Sequence, residues 1–463
     1  MSLSAARELP DISGITSDSR AVMPGFLFAA LPGGKLDGRQ FIAEAVTKGA
    51  VAILAPEGTA WPPGVPPRRL ITASDVRAKL AEMAAAYYAP LPRRLIAVTG
   101  TNGKTSSVDF LRQILTKAGR NAASIGTLGV IAPGHRPEGS LTTPDPVSLA
   151  RILGELKAEG VDDVAMEASS HGLDQRRLEG LRFIAAGFTN LTRDHLDYHG
   201  SMQAYGAAKL RLFSTLLVPG GAVRAMADLD PEIMAQLRAL AVRQRQNFAP
   251  VTLERVTPRP DGQSLTINGR TVELPLPGRF QADNAALAAS LAEAAGVADA
   301  FSYLPFLSGV RGRLERVLVL PNGAAAYVDY AHTPDAIARV LSALRPHTQG
   351  RLHIVFGAGG DRDAGKRPLM GAASAQGADV VIVTDDNPRS EDPALIRKAV
   401  MAACPGAIEI GDRRAAIAAA LEGLAPGDVL VVAGKGHEQG QIIKGEVIPF
   451  DDASVLRDLG GVA

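Results

Sequence analysis

Val98-Thr99-Gly100-Thr101-Asn102-Gly103-Lys104-Thr105-Ser106-Ser107 joins an aliphatic run to an amphipathic one. Upstream, Leu95-Ile96-Ala97-Val98-Thr99 has the composition of a buried strand. Downstream, Val108, Leu111, Leu115 and Ala118 recur at helical spacing as far as Gly119. A strand, a tight glycine turn and a helix opening on Lys-Thr make a phosphate site. The glycines admit backbone N–H groups to the oxygens, and the helix end favours anions. Lys104 adds charge, and Thr105 adds a hydroxyl suited to Mg²⁺. An ordinary strand–helix turn has no need of Lys-Thr directly after its second glycine. The loop is also short: two residues separate Gly100 from Gly103, which argues against GTPases and kinases with the standard four-residue spacing.

The chain has 463 residues, 46% hydrophobic and 21% charged, with a net charge of +1. That length suits about three domains of ~150 residues each. The charge balance and the lack of a basic block give no sign of a nucleic-acid partner. One cysteine, Cys404, excludes an intrachain disulfide and a Cys-based zinc site; its neighbours Val400, Met401 and Ala403 predict a buried helix position. No apolar run approaches the ~20 residues of a membrane span, and the first residues lack the apolar core of a secretory signal. The expected location is the cytoplasm, and the expected state a monomer.

Residues 1–90 read as a small α/β domain. Phe26–Ala30 and Val51–Leu54 are expected strands, and Phe41, Ile42, Ala45 and Val46 form a helical stripe ending at Gly49. The proline-rich stretch Trp61–Pro67 is a stiff surface loop, and Val76–Tyr87 a helix. Ala89–Arg94 is the first linker, because proline breaks the helix. From 91 to 312, strands alternate with helices, the pattern of a mainly parallel sheet. A loop is expected from Pro133 to Pro146 and a helix from Pro146 to Gly160. Val164-Ala165-Met166 leads into Glu167, and Phe183–Thr189 into Asn190. In such sheets, ligands gather at the carboxyl ends of strands. Three polar clusters sit there: GTNGKTS, EASSHGLDQRR and NLTRDHLDYHG. Leu265–Ile267 and Val272–Leu274 flank Asn268-Gly269, the signature of a tight hairpin. Asn284 opens an alanine-rich helix to Ala294, and a second linker falls at Ser308–Arg316.

Residues 313–463 read as a Rossmann-like α/β unit. Strands at Ala326–Asp329, Leu352–Phe356, Val380–Thr384 and Val429–Ala433 end in DYAHTPD, GAGGDRDAGKRP, DDNPRSEDP and GKGHEQG, loops that would share one sheet edge. Gly357–Gly360 is not read as a dinucleotide turn, because the charged DRDAGKRP fits one poorly.

Together, GTNGKTS, MEASSHGLDQRR, NLTRDHLDYHG with Lys209 following, VDYAHTPD, GGDRDAGKRPLMG, DNPRSEDP and AGKGHE closely resemble the Mur ligases, in order and over essentially the whole chain. The resemblance implies three domains. These are a UDP-substrate domain (1–90), a P-loop-type central ATP domain (91–312) and a C-terminal amino-acid domain (313–463). It also implies an acyl-phosphate mechanism, in which ATP activates a carboxylate that an amine then attacks. Within the family the motifs look like the branch that adds meso-2,6-diaminopimelate to UDP-N-acetylmuramoyl-L-alanyl-D-glutamate.

By that resemblance the phosphate loop, Gly100 through Ser106, binds ATP, with Asn284 near adenine, Arg313 at the phosphates, and Asp329 and His332 near ribose and base. Lys104, Glu167, His195 and Lys209 form the catalytic set. Thr105, Glu167, His195 and a CO₂-derived carbamate on Lys209 are the expected Mg²⁺ ligands, though histidine is unusual for this ion. Ser17 and Ser19 match the uridine end. Thr142, Thr143, Ser169, Gln175 and Arg177 match contacts to pyrophosphate, sugar and peptide; alone, Thr142-Thr143 reads as a turn. Arg362, Asp386, Asn387, Pro388, Arg389, Gly434 and Glu438 match the diaminopimelate site. Arg389 is the expected selector, since diaminopimelate differs from lysine by a second carboxylate that a guanidinium can clamp. A local salt bridge from Arg389 to Glu391 or Asp392 is the competing account. Leu141, the segment Arg224–Asp228 and Arg311 depart from the family pattern. Other readings are a related ligase such as a folylpolyglutamate synthetase or a lysine-adding Mur ligase, a nucleotide switch, and a binding-only relative.

Overall fold

The computed structural model describes residues 11–33, 36–134 and 141–461. Residues 135–140, inside the loop expected after Pro133, lie outside the described residues. The chain divides into two compact units: one runs to Val251 and includes Leu287–Ala300, the other comprises Thr252–Ala286 and the chain from Phe301 onward.

The first unit carries two sheets. Strands β1 (Gly14–Thr16), β2 (Phe26–Ala29), β3 (Ala52–Pro56) and β4 (Arg69–Ala73) form a parallel sheet in that order. β1 and β4 escape a reading by apolar runs because one has three residues and the other buries none of its residues fully. The helix Val76–Tyr87 falls where its stripe predicts, with Asp75 accepting from the Ala78 N–H as N-cap. The larger sheet uses β5 (Arg94–Thr99), β6 (Ala122–Gly126), β7 (Gly129–Ile131), β8 (Asp163–Glu167), β9 (Phe183–Phe188), β10 (Leu217–Met226) and β11 (Asn247–Val251). Its order is β11-β10-β9-β5-β8-β6-β7, parallel except for the β6–β7 pair. β5 lies between β8 and β9, so the three polar clusters leave neighbouring strands on one edge. Leu153, Leu156, Met166, Phe183 and Phe188 are among the residues that fill the core beside this sheet.

In the second unit, β12 (Arg255–Arg259), β13 (Gly262–Ile267) and β14 (Arg270–Leu274) form an antiparallel sheet. Asn268 and Gly269 have φ of +51° and +72°, the left-handed pair a tight primed turn requires. The remaining strands are β15 (Glu315–Val319), β16 (Ala325–Asp329), β17 (Leu352–Phe356), β18 (Val380–Val383), β19 (Ile408–Glu409) and β20 (Val429–Ala433). They order as β15-β16-β20-β17-β18-β19, with only β15 antiparallel. β17 and β20 are buried throughout, as expected of parallel strands covered on both faces. A hairpin of β21 (Gly440–Ile443) and β22 (Glu446–Pro449) follows.

Some sequence expectations need adjusting. Thr189 and Thr384 lie just past their strands, and the helix carrying Asn284 begins earlier, at Arg279. Cys404 is buried but not helical: the helix Pro393–Met401 ends before it, and the Cys404 N–H donates to Met401 O.

Candidate functional site

In the first unit the site is built around the phosphate loop. Gly100 has φ of +142°, and a Cβ there would overlap Thr189 Oγ1, so only glycine serves. Thr189 donates to Asn102 O at 2.6 Å. Asn190 accepts from the Thr101 N–H through its carbonyl (2.9 Å) and from the Asn102 N–H through Oδ1 (3.0 Å). Thr101 Oγ1 donates to Thr192 O at 3.1 Å and accepts from Thr192 N at 2.9 Å. The start of NLTRD therefore braces the loop that follows β5. That brace was not singled out from sequence, although both segments were, and their shared strand-end position was the available signal. Gly103, at φ +84°, caps the helix Lys104–Lys117, whose N-terminal end favours an anion.

Two lysines converge on one carbonyl. Lys104 Nζ donates to Gly100 O (2.9 Å) and Thr101 O (2.7 Å), and Lys209 Nζ donates to the same Gly100 O at 2.7 Å. Lys209 is 1% exposed, and its amine lies 4.3 Å from the centroid of the Tyr205 ring. Burial, and then the charge of Lys104, hold the Lys209 amine well below the usual lysine range. A solvated helix lysine does not describe this residue. Tyr205 donates to Thr101 Oγ1 at 3.2 Å, and burial pushes its phenol up to about 12, so the hydroxyl stays neutral.

Glu167 closes β8 opposite Val98 of β5 and is 2% exposed. Its carboxylate accepts from Thr127 N at 2.7 Å and Thr127 Oγ1 at 3.3 Å. A Cβ on Gly126 would overlap that carboxylate, so glycine makes the close approach possible. Thr127 Oγ1 also meets Thr142 Oγ1 at 3.1 Å. Thr143 Oγ1 donates to Glu167 O at 2.9 Å and lies 3.0 Å from Ser169 Oγ. Arg177 donates to Thr143 O at 2.6 Å and to Gln175 Oε1 at 2.7 Å. Glu167, Thr142, Thr143, Ser169, Gln175 and Arg177 thus form one connected group. Thr127, its link, had no distinguishing motif in the sequence.

His195 has φ of +51° and a half-exposed side chain, with its ring edge-on to His171 at 4.8 Å. Tyr198 and His199 also pack on His171. Among the described residues, no cluster of three or more His, Cys, Asp or Glu side chains is arranged to hold a metal. Ser17 is exposed, and Ser19 is buried, donating to Glu44 Oε2 at 3.2 Å. No hydrogen bond among the described residues joins either serine to the Thr143–Arg177 group.

In the second unit, Asp329 accepts from Leu314 N (2.7 Å) and Ala331 N (2.8 Å), tying the end of β16 to the linker. Burial raises its carboxyl pKa, while Arg313 and the two N–H groups oppose the rise. The Arg313 guanidinium lies 4.7 Å from the centroid of the Tyr330 ring. His332 Nδ1 is 2.9 Å from Tyr330 O, and Lys366 donates to His332 O at 3.1 Å. Arg313, Asp329 and His332 are therefore gathered, with Tyr330 as a platform the sequence reading had not named. Asn284 is buried on its helix.

The residues expected to form the amino-acid site lie in the loops that follow β17, β18 and β20. Lys435, 0% exposed, donates to Asn387 Oδ1 at 3.1 Å and lies 3.4 Å from Glu438 and 3.9 Å from Asp386. Asn387 Nδ2 donates to Glu438 Oε2 at 3.0 Å. Gly434 has φ of +113°, and a Cβ there would lie 2.6 Å from Asp386 Oδ2. Lys435 is the organising cation that sequence reasoning missed, although it sits inside AGKGHE. Arg389, at φ +52°, donates from Nη1 to Gly360 O at 2.8 Å. The competing local salt bridge fails: Glu391 pairs with Arg367 at 2.8 Å, and Asp392 caps the next helix. Arg362 is exposed beside Gly359, and Pro388 is buried.

Two departures from the expected pattern acquire roles. Arg224 of β10 donates to Asn247 O on β11 at 2.8 Å, stapling an edge strand. Arg311 pairs with Asp451 at 2.6 Å. Leu141 is 61% exposed, and nothing in the structure accounts for it.

Residues 11–97 match the Mur ligase family catalytic domain, 98–292 the Mur ligase middle domain, and 312–436 the Mur ligase glutamate ligase domain. The chain is 55% identical to a UDP-N-acetylmuramoyl-L-alanyl-D-glutamate–2,6-diaminopimelate ligase of Caulobacter vibrioides, over 98% of this chain and 96% of that one. It is 50% identical to the protein of that name from Rhizobium meliloti, over 98% and 95%. A solved structure of a ligase with that name superposes with a TM-score of 0.72 at 33% identity, covering 97% of this chain and 95% of the other. A Mycobacterium tuberculosis folylpolyglutamate synthase shares the fold, with a TM-score of 0.63 at 20% identity over 84% and 95%.

Proposed function

The chain belongs to the Mur ligase family, and on that premise we propose that it joins meso-2,6-diaminopimelate to the D-glutamyl residue of UDP-N-acetylmuramoyl-L-alanyl-D-glutamate in peptidoglycan precursor synthesis. Near-full-length identity of 55% to a ligase of that name carries the reading. Three domains at 1–90, 91–312 and 313–463 serve the UDP substrate, ATP and the amino acid. A nucleotide-activated substrate and ATP suit the cytoplasm, and we propose that the chain works there as the monomer expected from its sequence.

A carboxylate and an amine do not condense in water without activation. In this reading, ATP transfers its γ-phosphoryl group to the D-glutamyl γ-carboxylate. The amine then attacks the acyl carbon, forming the peptide bond and releasing phosphate. Two anions must meet in the first step, and Lys104 with the helix N-terminus supplies fixed positive charge there. Thr142, Thr143, Ser169, Gln175 and Arg177 bind and orient the UDP-sugar peptide, with Ser17 and Ser19 at the uridine. Arg313, Asp329, His332 and Asn284 hold the nucleotide.

The donor set suits Mg²⁺, a hard cation preferring oxygen. Thr105, the buried Glu167 and a carbamate on Lys209 would hold it, with His195 beside a second ion. Bound there, Mg²⁺ would neutralise charge developing on the transferred phosphoryl group. Lys209 suits carbamylation because its buried amine is held toward the neutral form. The neutral nitrogen attacks the carbon of CO₂: an N–C bond forms as a C=O π pair moves onto oxygen, and a proton leaves the nitrogen to water. In the second unit, Glu438 and Asp386 suit the ammonium groups of the amino acid, while Arg389 and Arg362 suit its carboxylates.

The test is phosphate release. One ADP and one phosphate should appear per peptide bond, and only with all three substrates present. Release without the amino acid, or none with all three, would defeat the reading and favour a switch or a binding-only protein.

A further inference from the structure

Arg389 is a non-glycine residue at φ +52°, a strained conformation that persists only where its surroundings impose it. What imposes it is the hairpin. The Arg389 N–H donates to Ile442 O at 3.0 Å, and the Lys444 N–H donates to Arg389 O at 2.7 Å. Arg389 and Ile443 form a parallel bridge, so β21 extends beside the DNPR loop. Two further bonds tie the residues just before it: Ile442 N donates to Asn387 Oδ1 at 2.9 Å, and Gln441 Nε2 donates to Asp386 O at 2.7 Å.

The dependence runs both ways. A lone two-stranded hairpin is marginal in water. β22 is exposed at every residue, with Val447 at 67%, so little apolar burial supports the pair. Its turn is the tight Lys444-Gly445 pair, with φ of +49° and +85°. The hairpin's order and the conformation of Arg389 are coupled through the same four hydrogen bonds.

We propose that the β21–β22 hairpin is a specificity element, with Gln441 a positioning residue that aims Arg389 at the far carboxylate of the amino-acid substrate. The proposal rests on the role given to Arg389 above. Gln441 contacts the backbone of Asp386 and acts through the loop.

Steady-state constants for meso-diaminopimelate, L-lysine and ATP, measured on the full chain and on Gln441→Ala, Gly445→Val and Arg389→Ala, test it. Gln441→Ala removes one loop bond and should raise KM for diaminopimelate roughly fivefold. A side chain at Gly445 meets nothing within 4 Å, so Gly445→Val perturbs only the turn. It should raise that KM roughly tenfold. In both, kcat/KM for lysine and KM for ATP should stay unchanged, so the diaminopimelate-to-lysine ratio falls. If Arg389→Ala lowers the ratio while both hairpin variants leave it intact, the proposal is overturned. Equal losses for both amino acids and ATP would mean a merely structural hairpin and also overturn it. A ratio unmoved by Arg389→Ala would overturn the role of Arg389 and the proposal with it.

Discussion

The phosphate loop of the first unit and the loops proposed for the amino acid in the second are held in place differently. The phosphate loop is fastened by its own backbone carbonyls, which neighbouring side chains grip. Carbonyls of Gly100, Thr101 and Asn102 accept from Lys104, Lys209 and Thr189, and glycines at 100 and 103 set its turn. The amino-acid loops are held by side chains. Lys435, Asn387 and Glu438, from two segments of one sheet edge, bond to one another through their side chains, and Asn387 Oδ1 also accepts from Ile442 N of the hairpin. A phosphate is the same in every ATP, so a contiguous backbone nest suffices. An amino acid must be told from its neighbours, and side chains carry that distinction.

The same difference explains how much was legible. GTNGKTS could be read alone, because strand, turn and helix end follow one another and each has its own signal. The parallel sheets were legible too: buried runs such as Val429–Ala433 announce themselves. β1, β4, β12 and the β21–β22 hairpin were not, since short or exposed strands lack an apolar run. Arg389 was reachable only through resemblance to a family. Its left-handed backbone and its partners Ile442 and Lys444 depend on a segment more than fifty residues away. The burial of Lys209 was equally hidden, because Tyr205-Gly206-Ala207-Ala208-Lys209 has no strong stripe.

Breaking the phosphate side should have the largest effect. Lys104→Ala is expected to lower kcat about 10³-fold, by phosphate release, with the fold retained by circular dichroism. Swapping one glycine on each side sharpens the contrast. Gly100→Ala should raise KM for ATP and Gly434→Ala KM for diaminopimelate, each about 10²-fold, because each Cβ intrudes on its own site. Crossed effects would blur the division. Carbamylation should be milder: CO₂-stripped enzyme should regain several-fold activity with bicarbonate, and Lys209→Ala should not respond. Smallest is Arg311→Ala. The Arg311–Asp451 pair is half-exposed, so thermal denaturation should report a loss of only about 0.5 kcal/mol.

The most direct measurement offers the enzyme equal amounts of meso-diaminopimelate and L-lysine with ATP and UDP-N-acetylmuramoyl-L-alanyl-D-glutamate, and weighs the products by mass spectrometry. The diaminopimelate tripeptide should dominate for the wild type, and its excess should shrink about 10²-fold in Arg389→Ala. Equal products from the wild type, or an excess untouched by Arg389→Ala, would contradict the assignment of selection to the loops at the end of the C-terminal sheet.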